Sequence, residues 1–414
     1  MKQAIILAIF TLFLVGCAAK ETPIPTETPT SIPTETITPQ ASATHTVVPP
    51  TATATQKPVS STATQQLAEN TDPLANYPDE GYGPVKFPDN INPLTGLPVD
   101  DPTLLDRRPI AVKISNEIRE IRPQWGLSLA DHVFEYYHEY GEVRYHAIFY
   151  GNDASEVGPI RSARFPDEQL VRAYKSVFAF ASADYRVRVL LFNSDFGSRL
   201  ATISDIPCPP TVEYPTCRID PNQWNHLMTD TSILSQHFTE NNVPNGRQYL
   251  DGLKFNKNTP SDGEIANNLI VRYSKSHYHK WEYDPNVGRY QRYDDASTDS
   301  GEGETFELLT DRYTDQPIMA DNIVVIFAPY SFYSRDPEMI NIDLVGFGKA
   351  VVFRDGQVFE VNWARITPEE IISLTYEDGS RFPMKPGTIW FDIIGETSPV
   401  TEQNSNWRFQ FQTP

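Results

Sequence analysis

Two kinds of short hydrophobic pattern alternate in the first half of the folded part of the chain. Residues 109–114 (PIAVKI) form an apolar run of strand length, and residues 143–150 alternate like a strand with one buried face. Residues 166–174 have the pattern of a helix, and a short strand is predicted over 176–180. Strands and helices in quick succession predict a mixed α/β domain.

One further segment has the residues that commonly begin and end a helix. Ser128, with Asp131 three residues later, resembles a capping box, and Gly141 stands where a helix commonly stops. The predicted helix lies between Ser128 and Gly141, and Asp131, Glu135 and Glu139 would form an acidic ridge along it. Such a ridge suits acid–base chemistry or cation binding, but it is also typical of a solvent-exposed helix face.

The second half of the chain consists mainly of short runs with the composition of β-strands. An Asp355-Gly356 pair between two such runs is a strong hairpin pattern, because both residues tolerate the left-handed conformation of a tight turn. Turn residues at short intervals predict an antiparallel sheet, sandwich or partial barrel. The predicted strands are 268–273, 280–283, 288–293, 322–328, 342–345, 349–354, 357–363 and 388–394.

These patterns predict an α+β fold. A mixed α/β N-terminal domain is expected over residues 89–250, followed by a mainly antiparallel β domain over 251–400 and a tail over 401–414. The boundary falls where the sequence becomes rich in Asn, Pro and Gly and the pattern changes.

The first seventeen residues have the pattern of a lipoprotein signal peptide. Lys2 precedes an apolar run over residues 4–15, which is shorter than the roughly 20 residues that a membrane-spanning helix needs. The run ends in Gly16-Cys17, which looks like a bacterial lipobox, although an ordinary secretory signal with a chance cysteine is the alternative. We therefore predict lipidation at Cys17. The diacylglycerol anchor would hold the chain in the lipid bilayer of the cell membrane, on its extracytoplasmic side.

Residues 18–88 have the composition of a linker. Thr and Pro supply half of residues 21–60, and no aromatic residue occurs between Cys17 and Tyr77. A segment with so little apolar surface cannot offset the entropy of ordering its backbone, so we predict a disordered Thr/Pro-rich stalk.

The charge and the hydropathy of the chain argue against two classes of protein. With 34 Lys and Arg against 54 Asp and Glu, the net charge is −20, so a nucleic-acid partner is not expected. The single apolar stretch at the N-terminus also argues against an integral membrane protein.

The remaining cysteines and the histidines give little sign of metal chemistry. Cys208 and Cys217 lie nine residues apart in a Pro-rich loop, which in an exported chain predicts a disulfide rather than a metal site. His277 and His279 would point the same way on a strand, but two ligands without a third are more often a polar face. We predict no metal and no cofactor. The sequence has no GxSxG, HExxH, Walker or GxGxxG motif, so the catalytic residues, if any, are unknown.

Several distinctive motifs follow one another along the folded part of the chain. They are NPLTG (92–96), RPIAVKISN (108–116), RPQWGLSLADHVFE (122–135), VRYHAIFY (143–150), VGPIRSARF (157–165), DNIVVIFAPY (321–330), IDLVGFGKAVVFRDGQVFEVNW (342–363) and MKPGTIWFDI (384–393). With these motifs in this order, the chain from about residue 90 to 396 resembles the YerB-like bacterial lipoproteins, also called domain of unknown function 3048. This family resemblance implies an exported two-part lipoprotein and brings no established activity.

Within these motifs, the segment 158–164 (GPIRSAR) is the best candidate for a ligand site. Arg161 and Arg164 flank Ser162, and two guanidinium groups beside a hydroxyl suit the capture of a carboxylate or phosphate. The alternative is structural, with both arginines paired to acids of the same domain. Further candidates are polar residues inside otherwise apolar motifs, namely Asn116, Arg122, Gln124, Glu135 and Arg144.

The sequence favours two functions, and a third, a purely structural spacer or chaperone-like partner, stays open without any positive sign in the sequence. The first is a noncatalytic binding or assembly protein that recognises an anionic cell-wall component or an envelope protein. The alternative is an envelope hydrolase or transferase with a site around Glu135, Arg161, Ser162 and Arg164, which requires these residues to meet in one cleft.

Overall fold

The computed structural model describes residues 74–223 and 225–414. The predicted signal peptide 1–17 with its lipidation site Cys17, and residues 18–73 of the predicted stalk, lie outside the described residues.

The described part of the chain is mainly β, with three α-helices. The helices are α1 (Phe165–Tyr174), α2 (Tyr185–Phe192) and α3 (Thr231–Glu240). The strands are β1 (Ile110–Ser115), β2 (His132–Glu139), β3 (Glu142–Phe149), β4 (Val177–Ala179), β5 (Leu200–Ala201), β6 (Thr216–Arg218), β7 (Leu227–Thr229), β8 (Lys254–Phe255), β9 (Glu264–Ile265), β10 (Asn268–Arg272), β11 (Tyr278–Asp284), β12 (Arg289–Asp295), β13 (Phe306–Leu308), β14 (Met319–Ala320), β15 (Asn322–Ala328), β16 (Tyr330–Arg335), β17 (Glu338–Ile342), β18 (Gly346–Arg354), β19 (Gln357–Arg365), β20 (Ser373–Thr375), β21 (Pro383–Met384), β22 (Ile389–Gly395), β23 (Val400–Gln403) and β24 (Asn406–Gln410).

Strands from both halves of the chain form one large mixed sheet. Its order is β20-β19-β18-β15-β22-β2-β3-β1-β4-β5, with β9 paired to β19. The halves meet where β2 runs parallel to β22, which places Glu135 beside Asp392. Phe134 and Phe391 stack there with their ring centroids 4.4 Å apart. A continuous hydrogen-bonded ladder therefore joins the two halves.

The large sheet is covered on both faces. Successive side chains of a strand point to opposite faces, so Tyr136 of β2 lies on one face and Glu135 on the other. On the first face Tyr136 contacts Asp167 of helix α1. On the second face Glu135 contacts Arg292, which belongs to a smaller sheet with the order β13-β12-β11-β10-β24-β23 and β14 paired to β12.

The helix predicted between Ser128 and Gly141 is wrong. Residues 132–139 form strand β2, which continues into β3 through a two-residue turn at Tyr140 and Gly141. Both turn residues have positive φ, as the common hairpin turns require. The run VFEYY is rich in β-branched and aromatic side chains, and pairing with β3 and β22 decides its conformation over the capping pattern. The predicted acidic ridge therefore does not exist as a helix face.

Most other predicted elements are confirmed. Helix α1 begins one residue before the prediction, and the Asp355-Gly356 turn joins β18 to β19. The strand predicted over 342–345 is an exception, since β17 already ends at Ile342. The Asp343 side chain accepts a hydrogen bond from the Val345 amide at 3.0 Å, which turns the backbone away from an extended path.

The predicted disulfide is confirmed, since Cys208 and Cys217 are bonded. The last part of the predicted stalk packs on the fold. Tyr77 is buried in the core, and the Tyr82 amide donates to the Phe255 carbonyl at 3.0 Å. Within the described residues, every helix is too short or too polar to cross a lipid bilayer.

Candidate functional site

The segment 158–164 lies beside strand β1 and is held there by its backbone. The Arg161 amide donates to the Lys113 carbonyl at 2.8 Å, and the Ile160 amide donates to the Leu227 carbonyl at 2.7 Å. Pairing on both sides fixes the path of the segment. It directs Arg161 and Arg164 toward the end of β1 and the hairpin of β2 and β3.

Arg161 and Arg144 meet at a single carboxylate, that of Glu117. Arg144 Nε donates to Glu117 Oε1 at 2.7 Å, and Arg161 Nη2 donates to Glu117 Oε2 at 3.3 Å. Arg144 also donates to the Ser162 carbonyl at 2.9 Å. Burial alone would raise the pKa of Glu117, but hydrogen bonding with His138 and the charge of Arg144 outweigh it and lower that pKa. Glu117 is therefore ionised and shared between two guanidinium groups.

Arg164 has its own acidic partner. Its Nη2 forms an ion pair with Glu139, and its Nε contacts His138 Nδ1 at 3.3 Å. Burial, together with the charges of Arg144 and Arg164, lowers the pKa of His138 to about 4, so this histidine is neutral at pH 7. We call the group of Glu117, His138, Glu139, Arg144, Arg161 and Arg164 the arginine cluster.

The arginine cluster has three cations against two carboxylates, so it carries one excess positive charge. The excess resides at Arg161. Among the described residues, the only polar contact of its side chain is the long one to Glu117, and its Nε is buried without a partner. A quarter of the Arg161 side chain is exposed, so this guanidinium is accessible from solvent. The geometry can accept an additional anionic oxygen.

Glu135 belongs to a different group of residues, buried between the two sheets. Its Oε2 lies 2.8 Å from Arg292 Nη1 and accepts from Trp390 Nε1 at 3.2 Å. His279 bridges Glu135 and Asp392, with contacts of 3.5 and 3.2 Å. We call Glu135, His279, Arg292 and Asp392 the inter-sheet cluster.

The inter-sheet cluster offers three potential metal ligands, in Glu135, His279 and Asp392, within 4.8 Å of one another. Burial and Arg292 act to lower the pKa of His279, but Glu135 and Asp392 outweigh them and raise it to about 9. A protonated imidazole has no lone pair for a metal, and Arg292 already neutralises Glu135. This arrangement is typical of a buried ion-pair network. His277 is not part of it, because it contacts the Asn116 carbonyl and Glu142 instead.

The structure does not bring Glu135 together with Arg161, Ser162 and Arg164. Arg144 is paired with Tyr136 in the β2–β3 ladder, whereas Glu135 is paired with Tyr145. Neighbouring residues of a strand face opposite sides, so the sheet separates Glu135 from the arginine cluster. The single cleft that the hydrolase or transferase alternative requires is therefore not formed by these four residues.

Asn116 and Arg122 connect the two halves of the chain. Arg122 Nε donates to Asn116 Oδ1 at 2.8 Å, and its Nη2 donates to Asp295 Oδ1 of β12 at 3.1 Å. Gln124 also donates to Asn116 Oδ1, at 3.2 Å. Both Asn116 and Arg122 are buried, so their contacts hold the segment after β1 against the smaller sheet.

Sequence reasoning missed a buried polar group under helix α1. Lys113 and His146 contact Asp167 Oδ1 at 3.1 and 2.8 Å, and Tyr136 donates to the same oxygen at 2.6 Å. Burial lowers the pKa of Lys113 to about 8 despite the charge of Asp167. The available indication was the lysine inside the apolar run PIAVKI. Nothing in the sequence singled out Glu117 as a member of the site, because its partners Arg144 and Arg161 lie far from it along the chain.

Two comparisons with known proteins cover most of the chain. The curated protein named "Putative lipoprotein YerB" from Bacillus subtilis (strain 168) is 26% identical over 315 residues, which is 73% of this chain and 85% of that protein. The crystal structure of YerB protein from Bacillus subtilis is similar with a TM-score of 0.62 at 26% identity, covering 73% of this chain and 96% of the other.

The family models match both halves of the chain. The model described as "Protein of unknown function (DUF3048) N-terminal domain" matches residues 94–207, and the corresponding C-terminal domain model matches residues 269–391. These regions contain the arginine cluster and, except for Asp392, the inter-sheet cluster. Matched over more than half of its length, the chain belongs to the DUF3048 family of proteins of unknown function.

Proposed function

We propose that this chain is a lipid-anchored, extracytoplasmic protein of the bacterial cell envelope that binds an anionic envelope component or partner without catalysing a reaction. The lipobox-like residues before Cys17 support the anchor, as does the word lipoprotein in the name of the Bacillus subtilis relative. The net charge of −20 makes direct attraction to anionic lipid unfavourable, so the anchor would hold the protein at the membrane.

The observation that carries the binding role is the state of Arg161. Its side chain is partly exposed, its Nε has no partner among the described residues, and its one ion pair is long. Glu117 is already held by Arg144 at 2.7 Å, so Arg161 can turn to a ligand without leaving Glu117 unpaired. Charge-assisted hydrogen bonds from a guanidinium suit a carboxylate or a phosphate.

The position of Glu135 on the opposite face of the sheet supports a binding role over the hydrolase or transferase alternative. We therefore propose Arg161, with Ser162 and Arg164 beside it, as the ligand-contacting residues, and Arg144 as the residue that positions Glu117.

Isothermal titration of the full chain in detergent with carboxylated and phosphorylated cell-wall fragments tests this role. We expect binding that the substitution Arg161→Gln weakens by about tenfold or more, the usual effect of losing a hydrogen bond to a charged group. Arg247→Gln is the matched control, because Arg247 is also partly exposed and paired with one acid, Asp106. Equal affinity of the Arg161→Gln and wild-type proteins for every fragment would contradict the proposal.

A further inference from the structure

A cavity rich in positive charge lies at the end of helix α1, away from the arginine cluster. It has a volume of about 340 Å³ and is bordered by the short helical turn Gly197–Arg199 and by residues 243–248. Four cationic side chains line it, and only two acidic ones do. The cations are Arg108, Arg172, Lys175 and Arg199, and the acids are Asp195 and Glu369.

Two of these cations are bonded to backbone carbonyls rather than to carboxylates. Arg108 donates from Nε to the Pro244 carbonyl at 2.5 Å and from Nη1 to the Lys175 carbonyl at 2.8 Å. Lys175 Nζ donates to the carbonyls of Tyr249 at 2.9 Å and Glu369 at 2.6 Å. These contacts fix the positions of the two cations but leave their charges uncompensated. Burial lowers the pKa of both groups.

Arg199 is the least satisfied cation of the cavity. Within the described part of the chain, its guanidinium has no hydrogen bond and no ion pair, and its Nη1 is buried without a partner. It lies over the Phe196 ring, 5.1 Å from the centroid, and Arg172 lies over the same ring at 5.2 Å. Burial and the nearby charge of Arg108 lower the pKa of Arg199 to about 10.

The acids of the cavity do not balance this charge. Asp195 is paired with Arg172 at 2.8 Å, and its side chain is 75% exposed. Arg172 is also paired at 2.8 Å with Glu168, which does not line the cavity. Glu369 is an exposed residue, and its carboxylate has no ion pair within the described residues. When Glu168 is counted with the two lining acids, the four cations keep one excess positive charge. In a chain with a net charge of −20, such an excess in a partly buried group is unusual, and it is unfavourable unless an anion joins it.

We propose that this cavity binds a small phosphate-class anion, either inorganic phosphate or a phosphate monoester. A carboxylate offers only a planar pair of acceptor oxygens, whereas a phosphate can accept hydrogen bonds from several converging donors at once. Arg108 and Lys175 are held in place before the ligand arrives, which reduces the entropy cost of binding. The proposal is independent of the proposed function, because Arg161 is not part of this cavity.

The test is isothermal titration of the full chain in detergent with inorganic phosphate. We expect saturable binding to the wild-type protein that Arg199→Gln weakens by about tenfold or more. Arg188→Gln is the matched control. Arg188 likewise packs over a phenylalanine, Phe192, and has no acidic partner among the described residues, but it lies outside the cavity. This control should bind phosphate like the wild-type protein.

A second variant changes affinity in the opposite direction. Asp195→Asn removes an exposed acid from the cavity, so we expect it to bind phosphate more tightly than the wild-type protein. Because it adds no strain to a buried group, this variant keeps the test valid even if Arg199→Gln folds poorly. Circular dichroism checks the fold of both variants.

Any one of the following results would overturn the proposal: no binding of phosphate by the wild-type protein, equal weakening by Arg199→Gln and Arg188→Gln, equal affinity for acetate, or no gain from Asp195→Asn. Soluble glycerol phosphate and micelles doped with phosphatidylglycerol separate the two sources of a phosphate group. Binding to the micelles alone would overturn the assignment of a small soluble ligand. Retention of phosphate binding in Arg161→Gln would show that the cavity and the arginine cluster act separately.

Discussion

At the scale of single residues, several buried charged side chains are paired with residues far away in sequence. Glu135 of β2 contacts Arg292 of β12, and Arg122 contacts Asp295. Removing one member of such a buried pair leaves a charge without compensation, which typically costs about 3–5 kcal/mol. The sequence reveals the residue types, but it does not reveal which acid neutralises which base.

The inter-sheet cluster makes the stability of the fold depend on pH. In the folded state the pKa of His279 is raised from 6.5 to about 9 because Glu135 and Asp392 stabilise its charged form. The protonated histidine therefore stabilises the fold fully below about pH 6.5, and this contribution is lost as the pH rises through about 9. We expect up to about 3 kcal/mol of the free energy of unfolding to disappear over this range. Urea unfolding between pH 6 and pH 10 measures it.

The variant His279→Gln isolates this contribution. Burial lowers the pKa of Lys113 to about 8, so this lysine titrates in part of the same pH range with the opposite effect on stability. The informative quantity is therefore the difference in the free energy of unfolding between wild type and variant. That difference should shrink as the pH rises. His237→Gln, at a histidine that contacts the Val212 carbonyl outside the cluster, is the control for replacing an imidazole without touching the inter-sheet cluster. A difference for His279→Gln that is constant from pH 6 to pH 10 would contradict the assignment.

At the scale of elements, the turn residues predicted the local structure correctly, whereas the capping residues near Ser128 did not. The Asp355-Gly356 pair forms the predicted hairpin turn, with φ of 53° and 72°. A Cβ on Gly356 would lie 2.8 Å from the Tyr283 ring, in addition to the strain of the left-handed conformation. The close approach of the ring explains why glycine is needed here.

We expect Gly356→Ala to lower the free energy of unfolding by about 2 kcal/mol or more, since a left-handed alanine alone costs about 1–2 kcal/mol. Gly246→Ala is the control, because Gly246 has no positive φ and a Cβ added to it would meet no atom within 4 Å beyond its chain neighbours. Denaturant unfolding of both variants provides the comparison. Equal stability of the two variants would mean that the turn tolerates a side chain.

At the scale of the whole molecule, the large sheet joins the two halves of the chain. Ten of its hydrogen-bonded strands form one path in which β2 and β22 are adjacent, and these strands come from opposite halves. The aromatic stack of Phe134 and Phe391 crosses the same junction. The shared sheet argues against independent domains over 89–250 and 251–400, and this division stays a prediction that separate expression can test.

We expect residues 74–250 and residues 251–414, produced separately, to lack a cooperative unfolding transition. Each fragment would expose an unpaired strand and the apolar surface beside it at the β2–β22 junction. Thermal unfolding followed by circular dichroism measures this, with the intact chain as reference. A sharp transition in either fragment would support two independently folding domains.

The part of the fold that could be predicted is the part set by neighbours in sequence. Helix α1, the hairpin at Asp355-Gly356 and the disulfide between Cys208 and Cys217 depend on residues within a few turns of chain. The candidate segment 158–164 was chosen for its residue types within the motifs of the family resemblance, and its role as a ligand site stays a prediction. The strand state of residues 132–139 was not, because pairing with β22, about 250 residues away, overrides the local helix pattern.

The sequence by itself determined the composition of the N-terminal segment, the strand-rich second half, the disulfide and the residue types available for binding an anion. Only the tertiary structure decided that Glu135 and Arg161 lie on opposite faces of one sheet, that Glu117 and Glu139 pair with the arginines, and that Arg199 remains without a partner among the described residues. The physical reason is that electrostatic and packing interactions act through space. A charge is compensated by whichever residue the fold brings within a few ångströms, and sequence separation does not limit that choice.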